Sequence, residues 1–63
     1  MLNNIEVYEE AGRKAAKARR QGDESTAKFH TQWANRAYNL ETEENRGIAR
    51  MAFKRAYKEA SGY

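Results

Sequence analysis

Apolar side chains recur along the chain at intervals of three and four, the spacing that gathers residues on one face of a helix. Tyr8, Ala11, Ala15 and Ala18 step by three, four and three and predict a first helix over about residues 4–21. Phe29, Trp33, Ala37 and Leu40 step by four, four and three, with Ala34 and Tyr38 beside them, and predict a second over about 24–40. That row holds the bulkiest side chains and is expected to supply most of the core. A third helix over about 43–60 carries Ile48, Met51, Ala52, Phe53, Ala56, Tyr57 and Ala60.

The boundaries come from caps and glycine, because the chain has no proline. Asn3 or Asn4 is placed to cap the first helix, with Glu6 in its opening turn. Gly22 stands where a helix closes on a left-handed residue, and Asp23 follows as the next cap, with Ser25 and Thr26 as competitors. "QGDEST" therefore reads as a tight turn. Thr42 is a cap for the third helix, and Gly47 weakens continuity there by roughly 1 kcal/mol relative to alanine. Nothing between Leu40 and Gly47 forces a break, so the second and third helices forming one bent helix is the alternative. The tail "SGY" is expected to fray. The fold class is all-α, a small helical hairpin or three-helix protein. The alanine face of the first helix suits a close antiparallel approach to the second, near the lower end of the 8–10 Å range for packed helices.

Composition changes this picture in one respect. Sixty-three residues make a single domain, 1–63, and Leu, Ile, Val and Phe together supply only 7 of them. Eleven alanines and seven aromatics in periodic positions, with a net charge of only +3, argue for a folded chain all the same. A helical protein with so thin a core is expected to complete it by pairing, and a homodimer is the simplest form. The candidate seam is Ile48, Met51, Phe53 and Tyr57. No cysteine is present for a disulfide, and one histidine cannot build a metal site, so neither metal nor cofactor is expected. No apolar run approaches the ~20 residues needed to span a bilayer, so no membrane partner is expected. "MLNNIEVYEE" lacks the basic start and apolar centre of a secretory signal, so the reading is cytoplasmic.

Charge is the remaining source of function. Five of the eight residues from Arg13 to Arg20 are basic, and Arg13, Lys14, Lys17 and Arg20 are candidates for nucleic-acid contact. In each predicted helix, however, acidic residues come first and basic ones last, the order the helix macrodipole favours at ~0.3–1 kcal/mol per charge. Glu9 and Arg13, Glu10 and Lys14, and Glu24 and Lys28 also stand four apart in the favourable order. Arg46, Arg50, Lys54 and Lys58 do not fit so easily. Their spacing by four stacks like charges at a cost of ~0.2–0.5 kcal/mol per pair. The row is either a solvated face carried without a ligand or the candidate site for an acidic partner or a phosphate backbone.

Base-specific DNA reading is not expected, since "ESTAKFH" after the turn becomes aromatic where a recognition helix needs polar residues. Any nucleic-acid binding would be unspecific and salt-sensitive. Catalysis has little support. His30 has no cysteine to activate and sits between Phe29 and Trp33, where it reads as a boundary residue packing its ring. Glu41, Glu43 and Glu44 open a helix and lack a convergent second set of ligands. Trp33 is expected in the core; if exposed, it becomes the leading anchor for a protein partner.

"MLNNIEVYEEAGRKAAKARRQGDESTAKFHTQWANRAYNLE", continuing to "FKRAYKEASGY", resembles the conserved 63-residue open-reading-frame protein of the exo–xis region of lambdoid bacteriophages. The similarity covers the whole chain and rests on no catalytic motif. It implies a small early phage protein in the cytoplasm of the infected bacterium, dispensable for lytic growth. It implies further an accessory, non-catalytic effect on the choice between lysis and lysogeny, or on host physiology, through a host or phage regulatory protein. A small basic nucleic-acid-binding regulator is the alternative.

Overall fold

A computed structural model describes residues 5–62 and shows three α-helices and no strand among them. They are α1 (Ile5–Arg20), α2 (Glu24–Asn39) and α3 (Glu43–Ala60). The expected caps at Asn3 or Asn4 lie outside the described residues, as does Tyr63. The second and third helices are separate.

Both turns are closed by local chemistry. At the first, Gly22 adopts φ +80°, its N–H donates to the Arg19 carbonyl at 3.0 Å, and the Asp23 N–H donates to the Ala18 carbonyl at 2.8 Å. This pair of bonds is the Schellman closure, and it needs the left-handed residue that glycine supplies. Asp23 then caps α2: it accepts from the Thr26 N–H at 3.1 Å and from the Thr26 hydroxyl at 2.6 Å. Those bonds, the hydroxyl first, hold the Asp23 carboxyl below its ordinary pKa. The second turn uses no glycine. Thr42 turns extended and accepts from the Asn45 N–H at 3.2 Å, which starts α3. Arg46 reaches back from α3 and donates through Nε to the Tyr38 carbonyl at 3.0 Å, satisfying the end of α2.

The packing places α1 at the centre. It lies antiparallel to α2 and parallel to α3, whereas α2 and α3 touch each other much less. The closest approach is between α1 and α3 at Gly12. A methyl group there would collide with the Phe53 carbonyl oxygen and stand 3.1 Å from the Tyr57 nitrogen and 3.3 Å from the Ala56 methyl. The intimate helix pair is thus first with third, where the alanine face suggested first with second.

The core also differs from expectation. Its buried apolar residues are nine alanines and two tyrosines. Tyr8 and Tyr38 stack with ring centroids 5.5 Å apart, over Ala34, Ala49 and Ala52, with Phe53 packed against the cluster. On α2 the buried row is Ala27, Ala34 and Tyr38; Phe29 is 63% exposed and Leu40 89%. The physical reason is that small residues, Ala11, Ala15 and Ala18 on α1 and Ala27 and Ala34 on α2, fill the α1–α2 interior, so Phe29 and Trp33 lie at its edge, while Leu40 lies beyond the end of α2. The Tyr8 hydroxyl donates to Glu41 Oε2 at 2.8 Å, tying the start of α1 to the second turn. Burial, then this bond and the charge of Glu41, push the Tyr8 pKa up to about 12.

Two predictions follow from these contacts. Gly12→Ala should lower the melting temperature sharply, since the steric conflict with α3 backbone outweighs the gain of roughly 1 kcal/mol in helix propensity. Gly47→Ala, with open space around it, should raise stability by about 0.5–1 kcal/mol. Equal effects in thermal melts would show that the α1–α3 approach is misplaced. Tyr8→Phe should cost about 1 kcal/mol at neutral pH. A raised tyrosine pKa contributes stability that is complete below pH 10 and lost as pH rises toward 12. The wild type should therefore lose stability over that window more steeply than Tyr8→Phe.

Candidate binding surfaces

With alanine and tyrosine filling the core, the large apolar side chains lie outside it. Ile5, Val7, Phe29, Trp33, Leu40, Ile48 and Met51 are all exposed. Three of them line one cleft of about 320 Å³ between α1 and α2, where Val7 and Ala11 face Phe29, His30 and Trp33. The Trp33 ring leans on Tyr8 at 6.0 Å, tilted by 42°, so one side is held by the core and the other faces solvent. His30 meets the Phe29 ring edge-on at 5.3 Å, the ring packing expected of it. Glu10 and Lys14, paired at 3.7 Å, also line this cleft. Trp33 is 39% exposed, where the core was expected to hold it.

The other surface is charged. Because α2 and α3 diverge over α1, a furrow opens between them. One cleft in it, about 330 Å³, is lined by Thr31, Asn35, Tyr38, Arg50, Phe53 and Lys54. It runs through a second, where Arg19 and Tyr57 join Thr31, Phe53 and Lys54. Two further clefts share Arg19 with it and add Lys28 and Glu24 on one side, Arg20 and Lys58 on the other. Four cations, Arg19, Lys28, Arg50 and Lys54, and one carboxylate, Glu24, thus line the furrow and the cleft that adjoins it through Arg19 and Thr31.

The four-residue ladder on α3 does not stay on one side. At 100° per residue each step of four advances 40° around the axis, so the row winds. Arg46 is drawn inward to carbonyls at the end of α2, donating to Tyr38 and, through Nη2, to the Glu41 carbonyl at 3.4 Å. Arg50 stands 5.8 Å from the centre of the Tyr38 ring, inside the furrow. Its charge partly offsets the burial that raises the Tyr38 pKa. Lys54 follows in the furrow, and Lys58 lies by Tyr57 and Ser61 at its end.

The basic residues of α1 separate in the same way. Arg13 and Lys17 are exposed and border none of these clefts. Lys14 pairs with Glu10, while Arg20 donates to the Ala60 carbonyl at 3.1 Å and so caps α3. Arg19, not singled out from sequence, donates to the Tyr57 hydroxyl at 2.7 Å. Of the three i,i+4 pairs suggested by spacing, Glu10 with Lys14 is the one within 4.0 Å among the described residues. Of the seam candidates, Phe53 and Tyr57 are half-buried and stack on each other at 6.2 Å, whereas Ile48 and Met51 are exposed on a different side of α3. The four do not form one surface, because residues two apart on a helix do not face the same way.

Among the described residues no group of three or more His, Asp or Glu converges as metal ligands. None of the described helices is long and apolar enough to cross a membrane. No family model matches this chain, and comparisons with curated proteins and with solved structures likewise give no match.

Because Arg46 serves the α2 terminus and Lys54 only the furrow, Arg46→Gln should lower stability by about 1–2 kcal/mol, whereas Lys54→Gln should leave the thermal melt unchanged. Equal losses would mean that the row acts as one electrostatic unit.

Proposed function

We propose that this chain is a non-catalytic accessory regulatory protein that acts by protein–protein binding. The observation that carries the reading is the inversion of its apolar side chains: alanine inside, with Phe29, Trp33 and Val7 around an open cleft outside. Burying an aromatic side chain yields about 1.5–3 kcal/mol, and contacts of this kind dominate the energetics of interfaces. A second copy of the chain is the first occupant of the cleft. Glu10 and Lys14 beside the apolar residues give a symmetric pairing the opposite charges it needs across a twofold axis. Under the phage resemblance, the regulated target is a host or phage protein in the cytoplasm of the infected bacterium. The effect is on the choice between lysis and lysogeny, or on host physiology early in infection.

Sedimentation equilibrium at two salt concentrations tests the reading. The wild type should be a dimer at both, since the contact is mostly apolar. Phe29→Ser should give a monomer that keeps its helical circular dichroism, because Phe29, 63% exposed, stands outside the core. Met51→Glu should leave the dimer intact. A wild type monomeric at every concentration, or a dimer abolished by Met51→Glu alone, would remove the α1–α2 cleft from consideration.

A further inference from the structure

The apolar cleft leaves the charged furrow without a role. Its floor is aromatic: Tyr38 is buried, and Phe53 and Tyr57 are half-buried. Its walls present cations: Arg50 and Lys54 stand one turn apart, about 6 Å along α3, and Lys28 lines a cleft that adjoins the furrow through Arg19 and Thr31. None of the three has a carboxylate within 4.0 Å among the described residues. Phe53 and Tyr57, stacked together, lie between them and Arg19. Regularly spaced cations with aromatic rings among them, in a channel between two helices, match a flexible strand of phosphates bearing flat bases.

We propose that the furrow between α2 and α3 binds single-stranded nucleic acid, its phosphates on Arg50 and Lys54, with Lys28 at the adjoining cleft, and its bases beside the Phe53–Tyr57 pair, whose Tyr57 ring carries the Arg19 guanidinium at 5.7 Å. The site reads no sequence; charge and stacking supply the affinity. It is separate from the α1–α2 cleft, so either surface can fail its test without the other.

The experiment is fluorescence anisotropy with labelled 20-nucleotide dT and rU strands, a 20-base-pair duplex and poly-glutamate as competitor. Either strand, or both, should bind, and the affinity should fall with salt at a logarithmic slope of about −2, as about three neutralised phosphates dictate. Arg50→Glu with Lys54→Glu should weaken binding at least tenfold. Arg13→Glu with Lys17→Glu, an equal charge change on exposed positions outside the furrow, should weaken it less than threefold. Circular dichroism checks that both variants fold; should the first not, Arg50→Gln with Lys54→Gln takes its place, with at least a fivefold loss expected. Binding in which the two pairs of reversals cost the same would overturn the proposal, since net charge alone would then explain it. Tighter binding of the duplex, equal competition by poly-glutamate, or no binding of either strand at low salt would overturn it as well.

Discussion

The contact between α1 and α3 at Gly12 is the constraint on which the rest of the molecule depends. Backbone meets backbone there, with the Phe53 carbonyl oxygen in the space that any side chain on residue 12 would need. Axes so close can be lined only by small residues, and the chain supplies them: Ala15 and Ala16 on α1, Ala49, Ala52 and Ala56 on α3. Close packing of many small groups recovers dispersion contacts that larger side chains provide in other cores. It also leaves the larger side chains with nowhere to go but outward.

Both the apolar cleft and the charged furrow follow from that one approach. Drawing α3 onto α1 turns it away from α2, so α2 and α3 diverge and the furrow opens. The same arrangement spends the interior on alanine and the Tyr8–Tyr38 stack, so Phe29 and Trp33 border a cleft where they would otherwise have filled a core. The cations are sorted at the same time. Arg46 and Arg20 are consumed by the carboxyl ends of α2 and α3, where the macrodipole favours them. Arg50, Lys54 and Lys28 are left over, and they are the ones that line the furrow and the cleft that adjoins it. Helix capping thus takes some of the cations and leaves others free, separated by position alone.

Arg46 shows how a regular spacing misleads. Four residues are slightly more than one turn, so a row with that period wanders across the helix surface and meets a different environment at each step. The seam candidates fail to share a face for a related reason, since Ile48 and Met51 point away from Phe53 and Tyr57. Arg19 was hidden among the basic residues of α1. Only its place opposite Tyr57, on another helix, distinguishes it from Arg13 or Lys17.

The sequence by itself determined the three helical stretches and the turn at Gly22, but left open whether the second and third were one. Gly22 with Asp23, and Thr42 ahead of Glu43 and Glu44, are local signals, and a turn or a cap involves residues within a few positions of one another. It also determined that the core would be poor in large aliphatic side chains, because that is a matter of counting. Which helix would be central, which side chains would be buried, and which cations would be free were decided only by the tertiary structure. Those outcomes depend on the distance between helix axes, and here a single residue without a side chain sets that distance. Gly12 lies inside a strong helical pattern, where glycine alone reads as a weakness. Its meaning comes from the carbonyl it touches 41 residues further along the chain.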